Sequence, residues 1–169
     1  MIKKTLLLLG YLCTMWSGVA FGEEPISSPL QDFVAAVYAD YAAESFDAVY
    51  AVMYPSIAES VSEGDYVEFQ RQHFERLRLE LRDIEVGEVS EGPKLARSLE
   101  QLLPNDQDIE VYGVEISYKA NFVRGIRFNQ TISKTVYVVL TDPQSPQKAL
   151  YLLWDPSSME EEETAHGSD

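Results

Sequence analysis

Residues 28–54 read SPLQDFVAAVYADYAAESFDAVYAVMY, and this stretch decides the fold. Leu30, Phe33, Val34, Val37, Tyr38 and Tyr41 recur at i, i+3, i+4, i+7, i+8 and i+11, along one side of a 3.6-residue helix. Ser28 is suited to cap that helix and Pro29 to open it, with its end near Ala43. After Ser45, itself a capping residue type, a second stripe follows in Phe46, Val49, Tyr50, Met53 and Tyr54. Two tandem amphipathic helices need an apolar surface to lie on. The remainder of the chain must supply it.

Downstream, Pro55 stops the second helix, and Ser56 to Ser60 can add a further turn. Ser62-Glu63-Gly64-Asp65 has the cap-x-x-acid pattern of a helix start, and predicts a third long helix burying Tyr66, Val67, Gln70, Phe74 and Leu77. From Leu77 the period falls to 2. Leu77, Leu79 and Leu81 alternate with charges, then Ile84 and Val86 do so after a one-residue slip at Arg82-Asp83, the mark of a bulge. A first strand is expected from about Leu79 to Val89, broken by Glu91-Gly92-Pro93. Lys94 to Leu103 returns to helical spacing.

The second half alternates as a sheet does. Tyr112, Val114, Ile116, Tyr118, Ala120 and Phe122 form one row, and a turn near Arg124-Gly125 returns the chain. Ile126, Phe128, Ile132, Val136, Val138 and Leu140 form the next row, interrupted by Gln130 and Lys134. A last strand is expected over Lys148 to Trp154. The opposite faces carry Val111, Tyr137, Val139, Tyr151 and Leu153, too many apolar groups for full exposure. The pattern predicts an α+β domain with N-terminal helices on the concave face of a curved antiparallel sheet of about four strands.

Composition bounds the function. Lys3 and Lys4, the apolar run Thr5 to Met15 and the small-residue end Ala20-Phe21-Gly22 have the plan of a secretory signal peptide, with cleavage expected after Gly22. Residues 1–22 are thus set aside as signal, 23–156 as one domain, and 157–169 as a disordered acidic tail around Glu160 to Glu163. Localisation is expected to be periplasmic or secreted, with no membrane anchor left after cleavage. The formal charge of −15 becomes −17 when the signal departs with two lysines and no acid. Such a chain is repelled by phosphate backbones, which excludes nucleic acid as a natural partner. Cys13, the one cysteine, lies in the signal, so the domain has no disulfide and no thiolate ligand.

The order of helices and strands resembles the NTF2-like superfamily, the α+β cone also called cystatin-like. Leu30 to Val89 carries the likeness, chiefly LQDFVAAVYADYAAESFDAVYAVMYPSIAESVSEGDYVEFQRQHFERL: the Phe46-Asp47-x-x-Tyr50-x-x-Met53 helix, the Pro55-Ser56 step, the Ser62 cap and Phe69. It is most similar to exported members of unknown function. The isomerase-like enzymes of that superfamily set an oxyanion-stabilising tyrosine on the first helix. Phe33 stands there in this chain, and a phenyl ring cannot donate that hydrogen bond. The acid-rich loop expected for a carboxylate base is replaced by PSIAESVSEG.

The remaining candidates each have a plain reading beside the functional one. His73 is a possible general base or a half-buried helix histidine. Arg71, Arg76, Arg78 and Arg82 could receive an acidic partner, or could pair along the helix as Arg71 with Glu75 and Arg76 with Glu80. The tyrosines suit a cavity that takes a mostly apolar ligand, and equally an ordinary core with hydroxyls at its rim. The candidate pocket lining is Tyr38, Tyr41, Tyr50, Tyr54, His73, Tyr118 and Trp154. No catalytic residue, metal ligand set or cofactor is assigned. The expected function is a non-catalytic module binding a small apolar ligand or a partner protein. The alternatives are a small lyase or isomerase, or an envelope protein that homodimerises through its sheet.

Overall fold

The computed structural model describes residues 26–104, 108–122, 130–143 and 149–159. The chain is α+β: helices α1 (Ser27–Ala42), α2 (Phe46–Ala51), α3 (Pro55–Ser60) and α4 (Glu63–Leu77) precede strand β1 (Leu79–Glu91). A short helix α5 (Arg97–Glu100) and strands β2 (Ile109–Phe122), β3 (Gln130–Thr141) and β4 (Ala149–Leu153) follow. The strands form one antiparallel sheet in the order β1-β2-β3-β4.

Helix α1 buries Leu30, Val34, Val37 and Tyr38, the stripe legible from its spacing, and packs against β1 and β2. Its start differs from the expectation. Ile26 is the capping position and Ser28 makes no capping bond, since Leu30 N–H already reaches the Ile26 carbonyl at 3.3 Å. Pro29 therefore sits third in the helix, where its missing N–H is still one that no helix bond would use. The helix ends in a Schellman arrangement. Ser45 N–H donates to the Asp40 carbonyl and Glu44 N–H to that of Tyr41, with Glu44 in the left-handed region at φ 59°. Ser45 precedes α2 without a side-chain capping bond. Ser62 does cap α4: its Oγ accepts from Asp65 N–H at 3.2 Å. Tyr66, Gln70 and Phe74 are buried as expected, with Val67 and Leu77 half-buried.

The slip at Arg82-Asp83 is a bulge. The register with β2 shifts between Arg82 and Glu85, Asp83 has φ 49°, and its carboxylate takes Lys119 Nζ at 2.5 Å. A second shift lies between Val86 and Val89, and Gln31 Nε2 donates to the nearby Gly87 carbonyl at 2.7 Å. Bulges and charges along β1 blunt this edge of the sheet. The ion pairs here differ from the expected ones. Arg71 pairs with Glu68, and Glu80 with Arg82 at 2.6 Å, because the helix ends at Leu77 and Glu80 belongs to a strand.

On β2 the row Tyr112, Val114, Ile116, Tyr118 and Ala120 is wholly buried beneath the helices. The opposite face owes its cover to the segment after β1. The helix expected over Lys94 to Leu103 is only Arg97–Glu100, and the stretch is tied on by Ser56 Oγ donating to the Leu102 carbonyl at 2.7 Å and Ser98 Oγ to Asp155 at 2.6 Å. Gly92 N–H donates to the Val111 carbonyl at 3.0 Å, and Pro93 sits over Gly113. Leu99 is buried, while Leu95, Leu102 and Leu103 are half-buried against the core. Val139 and Leu153, on that outer face, are consequently buried as well.

Strand β4 is shorter than expected and pairs only with Tyr137 to Thr141. The connection between α2 and α3 closes its far edge: Met53 bridges Leu152 in parallel, with Tyr54 N–H to the Leu152 carbonyl at 2.9 Å and Leu152 N–H to that of Val52 at 2.8 Å. The first half of β3, Gln130 to Val136, has no strand beside it there among the described residues. The expected turn at Arg124-Gly125 and the acidic run Glu160 to Glu163 lie outside the described residues, as do Ile126 and Phe128.

Candidate functional site

A cavity of about 220 Å³ lies where β4 ends beside the unpaired half of β3. Six elements and the turn after β4 meet there. Helix α1 contributes Val37, Tyr38 and Tyr41, α2 Val49, and α4 Tyr66 and Gln70. Leu99 comes from α5, the run Lys134 to Tyr137 from β3, and Leu152 to Asp155 from the end of β4 and beyond. Each arrives by a local pattern already described. Tyr38 and Tyr41 follow the α1 stripe, Tyr66 and Gln70 are one helical turn apart on α4, and Lys134 and Val136 share the helix-facing row of β3 with Val138.

The wall is ordered by ring contacts. Tyr38 touches Tyr41 and Tyr118, each with centroids 6.0 Å apart, and Tyr66 meets Trp154 edge-on at 5.1 Å. Behind them Tyr41, Phe46 and Phe74 form a mutual edge-to-face trio at 5.0 to 5.6 Å, which joins α1, α2 and α4. Tyr41 Oη donates to Gln70 Oε1 at 2.8 Å, and Gln70 is the one polar side chain among the described residues that is fully buried.

Lys134 is the cation of this site. Its ammonium stands 5.3 Å from the Tyr38 ring centroid and 5.8 Å from that of Tyr118. Burial pushes the Tyr38 and Tyr66 phenols well above the ordinary tyrosine range, and Tyr38 adds to the effect on Tyr66. Burial raises Tyr118 too, against the opposing pull of Lys134. These phenols therefore stay protonated and act as donors. Asp155 has the reverse balance: burial pushes its carboxyl up, but bonds from Ser98 Oγ, Ser157 Oγ and Ser157 N–H outweigh this and hold it below the usual carboxylate range. Those bonds tie α5 to the turn after β4.

Of the residues expected to line a pocket, Tyr38, Tyr41 and Trp154 meet in this cavity. Tyr118 lies behind Tyr38 and Lys134, outside the wall. Tyr50 lies tilted against Tyr66, with centroids 5.8 Å apart, and donates its hydroxyl to the Val61 carbonyl at 2.8 Å. Tyr54 turns to the other side of the connection and meets Tyr151 edge-on. His73 is half-buried on α4, stacked on Phe69 with Arg76 at 3.4 Å from Nδ1, and does not reach the cavity. Sequence reasoning missed Lys134, Gln70 and Asp155 as site residues. The available signal was Lys134 itself, a charge interrupting an inward-facing row.

A larger depression of about 470 Å³ occupies the exposed face of the sheet, over Gly87. Glu85, Glu115, Ser133 and Thr135 line it and all are solvent-exposed, so it is an open polar trough. No group of three or more metal-ligating side chains occurs among the described residues. None of their helices is long and apolar enough to cross a membrane. No protein-family model matches this chain, and no curated protein matches its sequence.

Proposed function

We propose that this chain is an exported NTF2-like binding module whose cone interior holds a small, mostly apolar molecule without transforming it. The carrying observation is the cavity between helices and sheet, walled by Val37, Val49, Leu152 and aromatic rings with a few polar groups at fixed places. The order of elements, four helices and then an antiparallel meander, supports the family reading. So does the placing of α2 against α1 and α4 through Phe46. The signal-like composition of residues 1–22 supports export. The chemistry of the wall supports binding without transformation: its buried phenols are held protonated, Asp155 is engaged by serines, and His73 lies elsewhere.

Native mass spectrometry of the protein purified from the envelope of its own host tests this reading. The expected result is a chain carrying one small organic molecule that gentle collisional activation removes. A bare chain under the mildest conditions, together with no binding of any added apolar probe, would end the proposal. A protein partner is favoured by a separate observation, the edge of β3 from Gln130 to Val136, which is unpaired among the described residues and to which a strand could add. Sedimentation of the same preparation would then show a dimer or a complex.

A further inference from the structure

The polar groups that face the cavity are of one kind. Among the described residues, neither the Tyr38 nor the Tyr66 hydroxyl has a hydrogen-bond partner, yet no buried side-chain nitrogen or oxygen is left without one. Both tyrosines line the cavity. Gln70 is 4 % exposed and lines the cavity; its Oε1 is taken by Tyr41, and its Nε2 makes no hydrogen bond among the described residues. Lys134 has no carboxylate within ion-pairing distance among the described residues. The one carboxylate in the wall, Asp155, already accepts three bonds from Ser98 and Ser157.

From this we infer that the ligand is a small apolar carboxylic acid, bound as its anion with the carboxylate against Lys134, Tyr38, Tyr66 and Gln70. The inference rests on the binding-module reading and names the class of molecule that module takes. Phenol, ammonium and amide N–H are all donors, and a carboxylate offers only acceptors, with room for about four bonds. A cation would suit the aromatic rings alone, but the faces of Tyr38 and Tyr118 are already turned to Lys134. The raised phenols agree, because they remain donors at any ordinary pH. Size sets the chain length. About 220 Å³ lies below the usual range of drug-sized ligand pockets and suits a short acyl chain with its head group.

Calorimetric titration of the full chain with hexanoate, 1-hexanol and hexyltrimethylammonium, at one ionic strength, separates the possibilities. Hexanoate should bind about tenfold or more tightly than hexanol, as charge-assisted bonds require. Lys134→Gln should remove most of that preference, weakening hexanoate far more than hexanol. Lys134 is exposed, so the variant should fold, and Tyr66→Phe provides a second, smaller loss for hexanoate alone. Equal affinity for hexanoate and hexanol, or indifference to Lys134→Gln, would overturn the anion inference while leaving an apolar binding module. Preference for the ammonium probe would overturn it in favour of an aromatic cage. If none of the three binds, this inference and the binding-module reading fall together.

Discussion

Phe46→Ala is the most searching perturbation of this fold. Phe46 is 1 % exposed and stands between Tyr41 of α1 and Phe74 of α4, at centroid distances of 5.6 and 5.0 Å with both pairs inclined at 69°. Truncating a core phenylalanine costs about 3–5 kcal/mol, from lost transfer energy and the cavity left behind. About 0.5–1.5 kcal/mol of that should be specific to each edge-to-face pair. A domain of this size has a total stability of roughly 5–15 kcal/mol, so the variant should fold with a large part of its reserve gone. Urea denaturation is the assay: with a slope of about 1.5–2 kcal/mol per molar, the midpoint should drop by roughly 1.5–3 M. A double-mutant cycle with Phe74→Ala should return a coupling of about 0.5–1.5 kcal/mol. A cost below about 1 kcal/mol with an unchanged slope, or a cycle additive to within about 0.3 kcal/mol, would show that these rings do not meet. The helical layer would then lack the joint that sets α1 and α4 on either side of the cavity.

Other expectations follow from single contacts. Ser62→Ala should lose about 1 kcal/mol in the same urea assay, since Ser62 Oγ supplies the capping bond to Asp65 N–H. Glu44→Gly should gain up to about 1 kcal/mol, because Glu44 holds the left-handed position of a Schellman stop that glycine occupies without steric cost; a loss would refute that account. Gly113→Ala should destabilise by about 1–3 kcal/mol, as its methyl would stand 2.8 Å from Ser90 Oγ and 3.0 Å from Thr135 Cγ2; a neutral result would mean that the segment after β1 yields freely. Alkaline pH should unfold the protein. Burial raises Tyr38, Tyr66 and Tyr112, the last to about 12 with help from Glu110, so each folded phenol holds its proton above the pH at which the unfolded one releases it. Their contribution is whole below about pH 10 and is lost as pH rises through the folded values. Tyrosinate absorbance followed beside circular dichroism should therefore rise together with unfolding, and complete ionisation of a still-folded chain would refute the burial argument.

What the sequence made legible was local. The α1 stripe, the Ser62 cap, the slip at Arg82-Asp83 and the inward row from Tyr112 to Ala120 each depend on neighbours within a few positions. The Ser28 cap was misplaced because Ser27, Ser28 and Pro29 can each open a helix, and packing of Leu30 and Val34 chose the frame. The α5 helix is shorter than the leucine spacing predicts because leucines at helical spacing also serve an irregular segment that packs against the core. Leu99, Leu102 and Leu103 are held by their packing against the core, not by a continuous helix. The cavity was least legible, since it is assembled from α1, α2, α4, α5 and both final strands. Where β4 stops decides whether Lys134 meets a neighbouring strand or an open edge, and alternation alone does not mark that end.

The tyrosines sharpen the distinction between a core and a binding site, because each hydroxyl must be satisfied somewhere. Tyr50 gives its proton to the Val61 carbonyl, Tyr41 to Gln70, and Tyr112 to Glu110 at 2.5 Å. For these three the ring serves the core and the hydroxyl closes a contact between segments, which is a structural use. Tyr38 and Tyr66, at 7 % and 2 % exposed, are more deeply buried than Tyr41 and Tyr50, yet they line the cavity and their hydroxyls have no protein partner among the described residues. A phenol kept from both water and protein would cost about 1–3 kcal/mol. Phenylalanine at either position would supply the same packing without that penalty. The polar ends of Tyr38 and Tyr66 are therefore explained by an occupant of the cavity, water or ligand, that accepts from them, and not by the packing of the core.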